Sequence, residues 1–312
     1  MAIPSAALAY RRSALMTATK VTVKPPTEEV LKARDNFQDF CIAMGKKPAN
    51  HMLEWHAELC TGEDSECLLG VAGKNTSILA PRGSAKSTVL GLFAAWMIGR
   101  HTAAKQMLRI LYIAYMVDIS RAKSATIKGI LTSNKYREIF PMVRLSKIRR
   151  SDEYWSIDYE FAGIDTAGEE AFTIACGGLK GAITSKRSQL VLIDDPIKSA
   201  ASINNPDIRR EMVQTWSNVI APTMFQGARA ICLGTRFHFD DIHATLFVPK
   251  NKWKQIVQQA VITDSDGKQR SYWPEFWSMK YLNERKTEDR VAFAYQYLNA
   301  AVKSTDVGLS PE

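Results

Sequence analysis

The sequence predicts an α/β fold: a mostly parallel central sheet flanked by helices on both faces. Two observations carry that prediction. Five short runs, "TSILAP", "RILYIAY", "AFTIACG", "QLVLIDD" and "ARAICLGT", are too apolar to be half-exposed hairpin strands. Longer stretches with helical spacing of apolar residues separate them, and alternation of strand with helix builds a parallel sheet through crossover connections. With 312 residues, 46% of them hydrophobic, the chain can bury one large core or two small ones.

In chain order, "MAIPSAALAYRRSALMTATKVTVKPP" has no acidic residue and is rich in Ala, Ser and Thr, a composition shared with organellar transit peptides. It lacks a sustained Arg-bearing amphipathic repeat and ends in Pro25-Pro26, which favours a flexible basic arm over residues 1–26. Residues 27–70 read as an N-terminal helical cap, with "EEVLKARDNFQDFCIAMG" as one amphipathic helix and "NHMLEWHAELC" as a second beyond the breaker at 46–48. Residues 71–250 hold the five strands. Within them "VLGLFAAWMIG" is too short to cross a bilayer and reads as a buried helix. Residues 251–312 read as a small C-terminal α/β subdomain, in which "VITDSDGKQRSYW" is a hairpin turning at Asp266-Gly267 and helices run from 274 to about 300.

Forty-one Lys and Arg against 32 Asp and Glu give a formal charge of +9, which suits a polyanionic partner and equally a merely basic surface. The five cysteines, Cys41, Cys60, Cys67, Cys176 and Cys232, are odd in number and form no C-x-x-C pair. Neither a disulfide framework nor a zinc ribbon is indicated, and a reducing compartment is expected.

The chemistry concentrates at the ends of the predicted strands. "APRGSAKS", residues 80–87, follows the first strand and opens a helix, the context of a phosphate-binding loop of the form G-x-x-x-x-G-K-[ST]. Both glycines of that form are alanines here, Ala80 and Ala85. Left-handed backbone at both would cost about 1–2 kcal/mol each, less than several charge-assisted hydrogen bonds to phosphate at roughly 1.5–3 kcal/mol apiece. A phosphate site therefore takes Pro81, Arg82, Gly83, Ser84, Ala85, Lys86, Ser87 and Thr88, with Lys86 on the β- and γ-phosphates of ATP, Ser87 on Mg²⁺ and Arg82 as a second cation. A basic turn ahead of a core helix is the alternative for the loop alone. "LVLIDDP" puts Asp194 at a strand end as a Mg²⁺ ligand and Asp195 toward the attacking water, unless the pair merely opens a turn before Pro196. In "ICLGTRFHFDD", Thr235 ends another strand, where a hydroxyl can sense the γ-phosphate. His238, Asp240, Asp241 and His243 invite a metal reading, but the two acids equally suit the first turn of the next helix.

These residues resemble the large terminase subunit, the ATP-driven DNA-packaging motor of tailed double-stranded-DNA bacteriophages. "GGLKG", "QLVLIDDPIKSAASINN", "REMVQTWSNVIAPTM", "GARAICLGTRFHFDDIHATLF", "YWPEFW" and "FAYQYLN" follow that family's order and spacing, from about residue 54 to 299 with the loop included. The resemblance implies a P-loop NTPase of ASCE/RecA-like type, with Lys86 and Ser87 on phosphate and Mg²⁺, Arg82 as the loop arginine, Asp194 as metal carboxylate and Asp195 as base. It sets Thr235 in the motif coupling hydrolysis to movement and Trp55 and His56 near adenine. It implies duplex DNA, a portal protein and the small terminase subunit as partners, a homo-oligomeric ring, pentameric when assembled and monomeric in isolation, no membrane, and action in the host cytoplasm.

The chain departs from that pattern in three places. The base position is often Glu in the family, and Asp is shorter by roughly 1.5 Å, while a displacement of about 1 Å can cost a hundredfold in rate, so slow basal hydrolysis is expected. Lys180 stands where relatives often carry an arginine that reaches into the neighbouring subunit, leaving Lys180 or Arg187 as the trans-acting finger. Relatives usually continue into a nuclease domain after the segment matching "QYLN", so no DNA cleavage is expected of this chain. Lys147, Arg149 and Arg150 are candidate phosphate contacts for DNA. A helicase-class ATPase and a DNA-docking module that holds nucleotide without turnover remain the alternatives.

Overall fold

The computed structural model describes residues 25–60, 74–180 and 186–300. The basic arm expected over 1–26 therefore lies, apart from Pro25 and Pro26, outside the described residues, as do Cys67 and Gly181. The central sheet has eight strands: β1 (Thr76–Leu79), β2 (Ile110–Ala114), β3 (Leu145–Arg150), β4 (Tyr154–Ile157), β5 (Ile174–Gly178), β6 (Ser188–Asp194), β7 (Met224–Gly234) and β8 (Lys254–Val257). Their order is β3-β4-β5-β2-β6-β7-β1-β8, parallel from β5 to β8 with β3 and β4 added antiparallel at one edge.

The five expected strands are the inner ones. β2 is buried at every position and β6 at all but one, because helices cover both faces, which is why their sequences run apolar without alternation. The three strands not anticipated lie toward the edges. β3 exposes its last four residues, and β8 buries only Ile256, so neither carries a continuous apolar run. β8 falls in the stretch read as a C-terminal subdomain, yet it pairs in parallel with β1.

On one face the helix Lys86–Ala103 lies between the sheet and the N-terminal cap, so nearly all of its turns are buried. Phe37 meets Phe93 edge to face at 5.4 Å, and the Trp96 indole donates to the Ala33 carbonyl at 3.1 Å. The single amphipathic helix expected at the start of the cap is two, Glu28–Asp35 and Phe37–Ala43. Asn36 breaks it: its backbone is extended, and its side chain accepts from the Asp39 amide as the cap of the second helix. On the other face Leu111, Ile113, Val191, Ile193 and Cys232 pack with Trp216, Phe247 and Trp253. The expected hairpin is present as β9 (Val261–Thr263) and β10 (Gln269–Ser271), and the helices Met279–Glu288 and Arg290–Gln296 follow it. Tyr272, Trp277, Leu282 and Phe293 give this C-terminal segment a small core of its own.

Candidate active site

β1, β6 and β7 end side by side, which brings the three sequence motifs to one edge of the sheet. After Leu79 the chain turns through 80–85 into the helix Lys86–Ala103. Left-handed backbone in this turn is confined to Gly83 (φ +86°) and Ala85 (φ +61°). The strain expected at two alanines thus falls on Ala85 alone. Ala80 escapes because it still extends β1, its amide donating to the Gly234 carbonyl at 3.0 Å. Ala85 caps the helix with no side-chain hydrogen bond, so the first-turn amides face the turn with no capping side chain, an anion-binding arrangement. Ser84 stiffens the turn from within: it is buried, and its hydroxyl donates to the Pro81 carbonyl at 2.6 Å.

The Lys86 ammonium is buried and donates to the carbonyls of Ala80 (3.2 Å) and Pro81 (3.0 Å) and to the Thr235 hydroxyl (2.9 Å). Asp195 is 3.8 Å away. Burial lowers the Lys86 pKa, against the opposing pull of Asp195 and Asp194. Asp194 is buried too, and burial raises its pKa first, with the Asp195 charge adding to the shift. Its two oxygens are divided between hydroxyls: Ser87 Oγ donates to Oδ1 at 2.9 Å, and Tyr112 OH donates to Oδ2 at 3.0 Å. Asp195 has positive φ (+43°), and its Oδ1 has no hydrogen-bond partner. Backbone held off its preferred basin beside an unsatisfied carboxylate oxygen is a pattern found at reacting sites.

A cleft of about 180 Å³ opens over these groups, and Arg82, Ser87, Asp194, Asp195 and Thr235 line it. Lys123 and Lys198 line it as well, two cations outside the expected site residues. Tyr112 was also missed; an isolated hydroxyl in an apolar strand next to the acid-bearing strand is the signal that could have found it. Pro81 contributes its carbonyl, while Thr88 is exposed in the first helical turn. Ser87 Oγ and Asp194 Oδ1 are hard oxygen donors within reach of one ion, a donor set that fits Mg²⁺ completed by phosphates and water.

The remaining expectations divide. Lys180 is exposed just beyond the carboxyl end of β5, on the site's edge of the sheet. Arg187 precedes β6 and so lies at the opposite end, with its guanidinium 5.8 Å from the Phe225 ring centroid. Trp55 and His56 are core residues: the Trp55 indole donates to Gln258 Oε1 at 2.8 Å, and the His56 ring lies 4.6 Å from that of Phe37. The same segment does present Asn50, His51 and Glu54 to a groove of about 630 Å³ shared with Gln258 and Gln259. Among the described residues no three His, Cys, Asp or Glu converge as metal ligands. Asp241 instead accepts from the amides of Phe237, His238, His243 and Ala244, and Asp240 pairs with Arg209. Lys147, Arg149 and Arg150 lie on the exposed edge strand β3. Arg149 and Arg150, with Lys128, Arg137 and Arg144, line a cleft of about 760 Å³ there.

No protein-family model matches the sequence, and no curated protein matches it. Solved structures it is similar to include phage large terminases. The large terminase ATPase domain of Thermus phage P74-26 is 15% identical, with a TM-score of 0.49, over 84% of this chain and 98% of that one. The large terminase of a thermophilic bacteriophage, solved in complex with ATP-γ-S, is 10% identical, with a TM-score of 0.47 over 89% of this chain and 53% of that one. The large terminase of bacteriophage HK97 is 14% identical, with a TM-score of 0.44 over 77% of this chain and 51% of that one. The chain thus spans about half the length of the latter two.

Proposed function

We infer that this chain hydrolyses ATP and couples the reaction to movement of double-stranded DNA, as the motor of a phage packaging terminase. One observation carries the reading. Ser87 and Asp194, 2.9 Å apart, stand at the edge of the sheet where Lys86, Asp195 and Thr235 also meet. A metal-binding hydroxyl, a metal-binding carboxylate, a phosphate-binding lysine and a second carboxylate are the parts that phosphoryl transfer to water requires.

In this reading Ser87 and Asp194 hold Mg²⁺, which when bound offsets charge on the β- and γ-phosphates. Lys86 exchanges its two carbonyl acceptors for phosphate oxygens, and the first-turn amides take the rest of the anion. Asp195, whose side chain lines the cleft, accepts the proton of the attacking water. Thr235 already donates to the Ala80 carbonyl while accepting from Lys86, so its hydroxyl can follow the lysine when phosphate arrives. Lys180 suits a trans-acting role better than Arg187, because it shares the site's edge of the sheet. The base is assigned to the groove at Asn50, His51 and Glu54, since buried Trp55 and His56 offer no free ring face. The basic cleft at β3 is the DNA surface in this reading, with phosphate contacts that weaken steeply with salt. Portal protein and small terminase subunit are the assembly partners, in a ring of like subunits.

Phosphate release from Mg·ATP, with and without linear duplex DNA, tests this. Asp195→Asn and Lys86→Ala are each expected to reduce turnover by about a hundredfold or more. Turnover that survives both variants would refute the site. Nucleotide binding that Lys86→Ala leaves intact, without turnover in any condition, would point instead to a docking module.

A further inference from the structure

"FAYQYLN" ends in Asn299, and nothing in the chemistry above uses it. Yet Asn299 is buried, adopts left-handed backbone (φ +49°), and spends both ends of its amide on other parts of the chain. Its Oδ1 accepts from the Arg236 amide at 3.0 Å, one residue past Thr235. Its Nδ2 donates to the Gln258 carbonyl at 2.8 Å, just beyond β8. Gln258 in turn donates its own amide to the Leu79 carbonyl at 2.8 Å, at the end of β1.

The neighbouring residues repeat the pattern. The Gln296 carbonyl accepts from the Arg82 amide at 2.8 Å, inside the phosphate-binding turn, and the Tyr297 carbonyl accepts from the Ala260 amide at 2.8 Å. The turn after the helix Arg290–Gln296 therefore straps across the carboxyl ends of β7, β1 and β8, which are adjacent in the sheet. Two of those ends carry the proposed phosphate-sensing groups. Among these contacts only those of Asn299 are made by a side chain, so only they can be removed by substitution.

We propose that Asn299 is a positioning residue that links the Thr235–Arg236 segment to the C-terminal helices, so that a shift of Thr235 on nucleotide binding is carried to them. The inference rests on the nucleotide reading for its cause, but the linkage itself is a property of the chain. Arg236 N–H, Asn299 and the Gln258 carbonyl form one continuous hydrogen-bonded path, and Asn299 sits at its midpoint. Left-handed backbone explains the residue type, since Asn and Gly tolerate it and most side chains do not.

Hydrogen exchange of the whole chain, read by mass spectrometry with and without Mg·ATP-γ-S, tests this. Asn299→Gly keeps the backbone conformation and removes both side-chain hydrogen bonds. It should speed exchange of the Arg236 amide at least about tenfold, the equivalent of one ordinary hydrogen bond, while amides of β2 exchange as before. Asn299→Asp keeps the acceptor and should restore protection of Arg236. With nucleotide, wild type should gain protection over both 233–238 and 290–299, and Asn299→Gly over the first alone. The linkage is overturned if Arg236 exchanges at the wild-type rate in the glycine variant, if β2 speeds equally, or if 290–299 still responds or never does. If wild type gains no protection over 83–88, nucleotide binding itself fails, and the comparison without nucleotide still decides whether Asn299 holds Arg236.

Discussion

At Asp194 one buried carboxylate is shared by two hydroxyls, and the two have different work. Ser87 lines the same cleft as Asp194, so its bond to Oδ1 can open to admit the proposed ion between them. Tyr112, wholly buried on β2, has no such freedom and holds Oδ2 in place. Tyr112→Phe should leave that oxygen buried and unpaired, lowering stability by about 1–3 kcal/mol. As Tyr112 is an outer partner of the proposed metal ligand, its loss should also weaken Mg²⁺-dependent nucleotide binding about 10–100-fold. Urea midpoints and nucleotide affinity titrated against Mg²⁺ measure the two effects; an unchanged Mg²⁺ dependence would mean that Ser87 alone orients Asp194. The sequence motifs disclosed Lys86, Ser87 and the acid pair because those residues sit at fixed offsets along the chain. Tyr112 stayed hidden because its relation to Asp194 runs across the sheet, between strands 82 residues apart. Ala85 shows the converse: the alanines looked equivalent in the sequence, and only the position of the β1 end separates a strained residue from a relaxed one.

At the scale of elements, Gly234 joins β7 to its loop under close constraint. A Cβ there would lie 2.6 Å from the His243 ring, which is buried in the short helix Ile242–Thr245. Asp241 ties that helix back to the loop by accepting from Phe237 and His238. The strand, the Thr235 turn and the helix are thus packed as one unit, and Gly234→Ala should cost about 1–3 kcal/mol by overpacking. A thermal unfolding series with Gly234→Ala, His243→Ala and the double variant checks the cause. Recovery of stability in the double variant relative to the sum of the single ones identifies the ring as the obstacle, whereas simple additivity would rule it out. The same scale explains what sequence patterning could not supply. Inner strands announce themselves by apolar runs because both of their faces are covered, whereas β3 and β8 are largely exposed, and β4, though buried over its last three residues, is a four-residue strand with a serine among them. The break at Asn36 was likewise masked by an amphipathic pattern continuous across it.

Over the whole molecule, three imidazoles are buried at the joints where secondary-structure elements pack together. His51 lies between the cap and the C-terminal segment, with ring centroids 4.5 Å from Tyr272 and 4.7 Å from Trp273. His56 packs on Phe37 inside the cap, and His243 lies beside β7. Burial lowers the pKa of each to about 4, and neither nitrogen of His243 has a hydrogen-bond partner. The folded chain therefore keeps them neutral down to about pH 4, whereas the unfolded chain protonates them near the ordinary value of 6.5. Between those limits the unfolded state binds more protons, so stability is complete above about pH 6.5 and falls as the pH drops toward 4. At pH 5 the loss is on the order of 2 kcal/mol for each imidazole. A chain with a formal charge of +9 at neutral pH gains further positive charge on the same path, which adds repulsion to the effect. Urea midpoints should therefore drop steeply from pH 7 to pH 5, and His56→Gln should remove about a third of that slope. A stability flat over that range would mean that the imidazoles take up protons in the folded chain, and hence that the joints open to water without unfolding.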